Sequence, residues 1–130
     1  MSVDRSEASY SIVIPVYNSE QTLPELHERI VQVMEAMGAR FEIVFVEDCS
    51  ADRSWQVLQA IADSDERVRA IQLLRNYGQA SATMCGLRHS VGQVAITLDD
   101  DLQNPPEEIP VLINALENDP ELDVVIGIPG

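Results

Sequence analysis

Three consecutive aspartates, Asp99, Asp100 and Asp101, follow a short apolar run and carry the clearest chemical signal in the sequence. Alternate residues of an extended segment point the same way, so Asp99 and Asp101 are expected to face one ligand edge, with Gln103 following them. Carboxylate oxygens at this spacing suit Mg²⁺ or Mn²⁺, which proteins hold through one or two carboxylates and substrate phosphates. We therefore predict a divalent-metal site here. The alternative is a solvated acidic turn before a helix.

A pair of acids, Glu47 and Asp48, follows an earlier apolar run. A carboxylate at the end of a strand can accept a hydrogen bond from a nucleobase N–H or from a ribose hydroxyl. Asp48 or Ser50 could equally cap the helix that follows. The two interpretations are compatible for different residues, and the sequence leaves both open.

Three further positions could touch a ligand. The first apolar run ends in Pro15-Val-Tyr17-Asn18, where Tyr17 could pack on a planar base. Arg75 follows the third run, and its guanidinium could grip a diphosphate. Gln79 begins a helix whose N-terminal amides could face an anion. The ordinary alternatives are an exposed tyrosine in a turn and an arginine in a surface ion pair.

Five runs rich in Ile and Val must position these residues, and they are residues 11–15, 41–46, 68–74, 94–98 and 124–128. Such nearly continuous apolar runs are typical of strands buried on both faces. Helical patterns alternate with them, which predicts a three-layer α/β fold with a mostly parallel sheet and helices on both faces. Ligands of such sheets bind beyond the carboxyl ends of the strands, where the polar clusters lie.

The apolar positions of the helical patterns predict which faces are buried. The first helix begins at a capping box, Thr22 to Glu25, and ends at Gly38. Its predicted inward stripe is Leu23, Leu26, Ile30, Val33, Met34 and Met37. The inward residues of the next three helices are predicted as Trp55, Leu58 and Ile61, then Ala80, Met84, Leu87 and Val91, then Ile109, Leu112, Ile113 and Leu116. His27 and His89 are expected on helix surfaces.

The composition excludes several classes of function. The chain has 130 residues and a formal charge of −14, which argues against nucleic acid as a partner. All basic residues are arginines, which excludes a lysine Schiff base and a P-loop lysine. The polar start is no signal peptide, and no apolar run reaches the roughly 20 residues of a membrane span. We expect a cytoplasmic chain, with any membrane contact peripheral to the inner face.

Four segments together resemble the family 2 glycosyltransferases, which have the GT-A fold, and they are residues 12–18, 46–52, 74–79 and 98–108. The resemblance covers nearly the whole chain from Ser11 on. The last segment is most similar to enzymes that act on polyprenyl phosphates, such as dolichyl-phosphate mannose synthases and bacterial undecaprenyl-phosphate sugar transferases. The implied organisation is an N-terminal tail, 1–10, and a nucleotide-sugar-binding GT-A subdomain, 11–130.

The resemblance also implies roles for individual residues. The metal on the diphosphate is held by the DXD pair, Asp99 and Asp101, which are the catalytic candidates, and by Gln103. The implied lining of the nucleotide pocket is Pro15, Tyr17, Asn18 and Glu20, with Glu47 and Asp48 on the base or ribose. Glu47 departs from the more usual aspartate. The remaining candidates for substrate binding are Arg75, Gln79 and Asp100, of which Asp100 is expected to point away from the metal.

The implied activity is transfer of a sugar, with inversion, from a nucleoside-diphosphate sugar to an acceptor such as polyprenyl phosphate, with Mg²⁺ or Mn²⁺ as cofactor. Family members continue well beyond Gly130, so we expect a domain truncated at its C-terminal end and capable of self-association. One alternative is a catalytically silent nucleotide-sugar-binding fragment. Another is a receiver-like signalling domain, which would need acids after its first strand and a lysine after its last. A nucleotidyltransferase would need a glycine-rich loop after the first strand.

Overall fold

The fold is built on a sheet that, within the described residues, has five strands, all parallel. The computed structural model describes residues 8–102, 105–117 and 124–126. The strands are β1 (Tyr10–Val16), β2 (Phe41–Glu47), β3 (Val68–Gln72), β4 (Val94–Thr97) and β5 (Val124–Ile126). The helices are α1 (Leu23–Ala36), α2 (Ser54–Ser64), α3 (Gln79–His89) and α4 (Ile109–Glu117), the last preceded by a 3-10 helix, Pro106–Glu108. The predicted α/β class and parallel sheet are confirmed.

Helices cover both faces of the sheet, as predicted. Successive strand residues point to opposite faces, so each strand contributes to two cores. The larger core packs the sheet against α1, α2 and α4, and its fully buried members include Ile12, Ile14, Leu26, Ile30, Ile43, Phe45, Leu58 and Ile109. The smaller core on the other face joins Val13, Val44 and Val46 to Ala82 of α3. The two cores and the sheet make the three layers.

The strand order β3-β2-β1-β4-β5 places the first strand in the middle of the sheet. The chain adds β2 and β3 on one side of β1, and then crosses over to add β4 and β5 on the other. In open parallel sheets a crevice forms where the strand order reverses, and here that point lies between β1 and β4. A receiver-like fold has the order 2-1-3-4-5, so the receiver-like alternative is wrong.

The end of α1 follows the sequence prediction. Gly38 has a φ of 66°, its N–H donates to Glu35 O at 3.0 Å, and the Ala39 N–H donates to Met34 O at 3.2 Å. This pair of bonds is a Schellman motif, which needs a residue that tolerates positive φ. Met37 was predicted to face inward and is 37% exposed, because it is the C-cap residue and the helical stripe has ended.

The start of α1 departs from the prediction. Thr22 is the N-cap residue, but its side chain makes no capping hydrogen bond, so the predicted capping box is wrong. Its Oγ1 donates instead to Asp100 O at 2.7 Å and to Ser19 O at 3.2 Å. Thr22 therefore holds the loop after β4 rather than the first turn of its own helix.

The buried face of α3 also differs from the prediction. Its buried residues are Ala82 and Gly86, whereas Met84 is 51% exposed and Val91 is 48% exposed. A Cβ added at Gly86 would lie well inside contact distance of Val13 Cγ1 and 3.1 Å from Val46 Cγ2. The helix thus approaches the sheet through its smallest residues, and the longer side chains lie beside the contact.

Some predicted boundaries shift, and some predictions fall outside the described residues. Tyr10, placed in the N-terminal tail, is the first residue of β1. β3 ends at Gln72, and Leu74 beyond it is 92% exposed. Gln103, residues 1–7 and the side chain of Leu116 lie outside what the structure describes. In the described part of the chain, no helix has both the length and the apolar character to cross a bilayer.

Candidate functional site

A cavity of about 400 Å³ opens where β1 and β4 end, at the point where the strand order reverses. Pockets of roughly 300 to 1,000 Å³ are typical for small-molecule ligands. The cavity is lined by Pro15, Val16, Tyr17, Asp48, Asn76, Gly78, Gln79, Asp99, Asp100 and Asp101. The structure therefore brings together seven of the predicted site residues, from the ends of β1, β2 and β4 and the start of α3.

The cavity is strongly acidic. Four carboxylates line it, from Asp48, Asp99, Asp100 and Asp101, and no basic side chain appears among the described residues that line it. Burial, and then the charges of Asp101 and Asp100, raise the pKa of Asp99, against a lowering hydrogen bond from Gln79. That bond joins Gln79 Nε2 to Asp99 Oδ1 at 3.0 Å. A ligand that carries negative charge would need a cation to enter this site.

Asp48 holds the loop that leads into α3. It is 3% exposed, its Oδ1 accepts the Tyr77 N–H at 2.8 Å, and its Oδ2 accepts the Gly78 N–H at 2.9 Å. Gly78 has a φ of 97°, which favours glycine. Asp48 therefore orders the backbone before α3, rather than capping α2, and this places Gln79 beside Asp99. Its predicted contact with a base or ribose stays a prediction.

The loop after β1 is fastened to the loop after β2. The Asn18 N–H donates to Ser50 Oγ, and Asn18 Oδ1 accepts the Ala51 N–H, each at 2.9 Å. Asn18 has a φ of 51°, which asparagine tolerates better than most residues. The Ser19 N–H donates to Ser54 Oγ at 2.9 Å. Asn18 thus joins the two loops through its main chain and its side chain.

A smaller pocket of about 320 Å³ lies next to the cavity and shares Asp101 with it. Its lining includes Asn18, Glu20, Thr22 and Asp52. The Glu20 N–H donates to Asp52 Oδ2 at 3.1 Å, which fixes the Glu20 backbone. Glu20 is thereby near the acidic run but outside the main cavity.

Four of the predicted residues that the structure describes do not line the cavity, namely Asn18 and Glu20, which line the smaller pocket, and Glu47 and Arg75. Glu47 is 1% exposed, its Oε1 accepts the Ser50 N–H, and its Oε2 has no hydrogen-bond partner among the described residues. Glu47 is therefore a buried residue that stabilises the loop after β2. Arg75 has its guanidinium carbon 5.5 Å from the centre of the Tyr77 ring. Its predicted grip on a diphosphate has no geometric support here.

The residues present fit a divalent cation that a ligand helps to bind. Asp99 and Asp101 both line the cavity, and mutual repulsion contributes to the raised pKa of Asp99, which a cation would relieve. Within the described ranges, no cluster of three or more His, Cys, Asp or Glu side chains is placed to hold a metal alone. Mg²⁺ is typically bound through one or two carboxylates together with substrate phosphates, and two aspartates match that pattern.

Sequence reasoning missed the residues that connect the loops. Ser19, Ser50, Ser54 and Asp52 supply hydrogen bonds between the segments after β1 and β2. Short polar residues in loops are common, so their spacing carries little signal. Asn76 also lines the cavity, and it was not among the predicted site residues.

Curated relatives share about half of their residues with this chain. An undecaprenyl-phosphate 4-deoxy-4-formamido-L-arabinose transferase of Edwardsiella ictaluri is 51% identical over 108 residues, which are 82% of this chain and 33% of the relative. The transferase of the same name from Pseudomonas aeruginosa is 54% identical over 104 residues, 79% of this chain and 31% of the relative. The chain thus spans about a third of the length of the curated relatives it matches.

Solved structures of glycosyltransferases share the fold. The mannosyltransferase PcManGT of Pyrobaculum calidifontis, solved with GDP-Man and Mn²⁺, gives a TM-score of 0.72 over 88% of this chain and 34% of its own, at 18% identity. TarS of S. aureus, residues 1–349 solved with UDP, gives a TM-score of 0.60 over 72% of this chain and 27% of its own, at 26% identity. The GT-A, Rossmann-like fold that the resemblance implied is confirmed.

The family model described as "Glycosyl transferase family 2" matches residues 11–130. That range includes every strand end that lines the cavity. The chain belongs to glycosyl transferase family 2.

Proposed function

We propose that this chain is the donor-binding part of a glycosyltransferase that moves a sugar from a nucleoside-diphosphate sugar to polyprenyl phosphate, with inversion. The observation that carries the proposal is the acidic cavity between the ends of β1 and β4, whose lining includes Asp99, Asp101 and Tyr17. The names of the curated relatives support the polyprenyl acceptor. The nucleotides in two structures with the same fold support the donor class.

The cation that this cavity would need is Mg²⁺ or Mn²⁺. The carboxylates of Asp99 and Asp101 would hold it, with the diphosphate of the donor as the further oxygen ligand. Bound there, the ion would stabilise the negative charge that develops on the leaving nucleoside diphosphate. Gln79 holds Asp99 through its Nε2, so this carboxylate is oriented before a ligand arrives.

The reaction is a single displacement. An oxygen of the acceptor phosphate forms a bond to the anomeric carbon while the bond from that carbon to the diphosphate oxygen breaks, and the nucleoside diphosphate leaves with the electron pair. The acceptor phosphate is already ionised near pH 7, so we propose that these residues supply no general base. We propose that Tyr17, which is 49% exposed at the cavity, stacks on the base.

Calorimetric titration of the chain with UDP- and GDP-sugars, with Mn²⁺ and then with EDTA, tests donor binding. Binding is expected with Mn²⁺ and lost with EDTA. Asp101→Asn should weaken Mn²⁺-dependent binding by about 1 to 3 kcal/mol, the scale of losing a charged ligand. Asp63→Asn, which removes the same charge from an exposed position on α2, is the matched control. Unchanged donor affinity in Asp101→Asn would refute the metal assignment.

A catalytically silent nucleotide-sugar-binding module is the second candidate, because the chain spans only about a third of its curated relatives. A transfer assay with undecaprenyl phosphate in detergent, run beside the binding assay, separates the two. Donor binding without transfer or donor hydrolysis would favour the silent module.

We also propose a location at the inner face of the membrane, where the enzyme would meet a polyprenyl acceptor. Self-association stays a prediction, which light scattering can test.

A further inference from the structure

Asp100, the middle residue of the acidic run, accepts hydrogen bonds from the loop after β1. Its Oδ2 accepts the Tyr17 N–H at 2.8 Å and also the hydroxyl of Ser19. Its main-chain oxygen accepts Thr22 Oγ1 at 2.7 Å. One residue thus receives three hydrogen bonds, all from the segment that connects β1 to α1.

These bonds join two segments that the sheet itself leaves apart. The β1–β4 ladder ends at the pair Val13 and Thr97, and one further backbone bond, Leu98 N–H to Val13 O at 3.0 Å, follows it. Among the described residues, no backbone–backbone hydrogen bond links 99–102 to 14–22. The side-chain and main-chain bonds of Asp100 link the two segments across the crevice at the switch point.

We propose that Asp100 is a positioning residue that fixes the acidic run against the loop after β1, and that it is neither a metal ligand nor a substrate-binding residue. The part of this inference that concerns cation and donor binding rests on the proposed function, whereas the structural link does not. Asp99 accepts a bond from Gln79 at the start of α3, and Asp100 accepts one from Tyr17 in the loop after β1. Neighbouring aspartates are therefore bonded to two different segments, and we expect these bonds to keep Asp99 and Asp101 at the cavity.

Two substitutions distinguish positioning from ligation. Asp100→Asn keeps a side-chain oxygen that can accept the Tyr17 N–H but loses the charge, and Asp100→Ala loses both. Asp100→Ala removes the acceptor, so the hydrogen-exchange rate of the Tyr17 amide should rise by about tenfold or more, since this rate reports local opening. NMR without ligand measures the rate. The Asn variant should keep an exchange rate within about threefold of the wild type, because the hydrogen bond persists.

The second measurement is the affinity for Mn²⁺ together with UDP or GDP. We expect Asp100→Ala to lose about tenfold and Asp100→Asn to recover most of that loss, because position and not charge is what Asp100 supplies. Asp63→Asn controls for the removal of one charge from an acidic chain. Thr22→Val, which removes the bond to the Asp100 main chain together with the longer bond to Ser19 O, should lie between the wild type and Asp100→Ala in both measurements.

The outcomes separate this inference from the proposed function. An Asn variant as weak as the Ala variant, with the Tyr17 amide still protected, would show that Asp100 acts through its charge and would overturn the inference. An unchanged Tyr17 amide in Asp100→Ala would overturn it as well. If the wild type itself bound no nucleotide with Mn²⁺, the proposed function would fail, while the exchange rates would still decide whether Asp100 holds the two loops together.

Discussion

Neighbouring carboxylates in the cavity have different hydrogen-bond partners, and these partners indicate a different role for each residue. Asp48 accepts two backbone N–H groups and Asp100 accepts one backbone N–H and one hydroxyl. Asp99 accepts a single bond from a side-chain amide. Residues whose oxygens already accept backbone donors are suited to hold a loop, whereas Asp99, whose described partner is a side-chain amide, is better suited to hold a cation.

Asp48→Ala is expected to lower the free energy of unfolding by about 1 to 3 kcal/mol, because the N–H groups of Tyr77 and Gly78 would lose buried acceptors. Urea denaturation followed by circular dichroism measures the change. Asp48→Asn keeps one acceptor oxygen and should lose about half as much. A loss in Asp48→Ala within experimental error of zero would show that Asp48 does not order this loop, and would return it to the candidates for base contact.

At this scale the sequence predicted which residues share the cavity better than it predicted their hydrogen-bond partners. The period of two along an extended segment was enough to nominate Asp99 and Asp101 as residues of one ligand edge, and both line the cavity. The bond from Tyr17 to Asp100 spans 83 positions of the chain, and the bond from Gln79 to Asp99 spans 20. Local patterns carry no information about such pairs, so the role of Asp100 became visible only in three dimensions.

Among the elements, α1 and α3 show when an apolar pattern identifies a buried face. Leu26, Ile30 and Met34 of α1 are fully buried, as their spacing predicts, because this helix covers the sheet with large side chains. α3 lies so close to β1 that its fully buried residues are the small Ala82 and Gly86. The face predicted from helical spacing is rotated from this contact, and Leu87 of that face packs only partly buried at its edge.

Gly86→Ala is therefore expected to destabilise the fold by about 1 to 3 kcal/mol, although alanine has the higher helix propensity. The added methyl group would overlap Val13 Cγ1, so α3 would have to move away from the sheet. Thermal melting or urea denaturation tests this. Ser81→Ala, at an exposed position of the same helix, should be neutral or slightly stabilising. A stabilised Gly86→Ala variant would contradict the close packing described here.

A charged cluster ties α1 to the turn between α2 and β3. His27 Nε2 lies 2.9 Å from Asp65 Oδ2, and Arg67 Nε donates to Asp65 Oδ1 at 3.0 Å. Burial acts to raise the pKa of Asp65, but the hydrogen bonds from Arg67 and His27 offset it and hold this pKa below its ordinary value. His27, expected on a helix surface, is therefore half-buried and has a partner.

The depressed pKa fixes the sign of a pH effect. The stabilisation from ionised Asp65 is fully present above the ordinary aspartate pKa, about 3.9, and is lost as the pH falls through the lower folded value. Asp65→Asn should cost about 1 to 2 kcal/mol at pH 7, and its difference from the wild type should shrink below about pH 4. Urea denaturation at several pH values measures it, with Asp63→Asn as control. A difference that grew on acidification would be inconsistent with this cluster.

For the molecule as a whole, the dominant property is its charge of −14 over 130 residues. Such an excess of one sign destabilises a compact chain through self-repulsion, which salt screens. With EDTA present, the melting temperature is expected to rise by about 2 to 5 °C between roughly 10 and 500 mM NaCl at pH 7. A melting temperature that fell with NaCl would show that ion pairs outweigh the repulsion. KCl should give the same rise, since the effect depends on ionic strength alone.

The central place of β1 has a consequence during synthesis. β1 leaves the ribosome first and can pair with β2 early, yet its other edge has no neighbour until β4 has been made. Until then the nascent chain presents the open hydrogen-bonding edge of a buried, apolar strand, the kind of surface that associates with other chains and that chaperones shield. The β1–β4 seam that closes this edge is also the one that carries the acidic cavity, so the cavity cannot form before β4 has docked on β1.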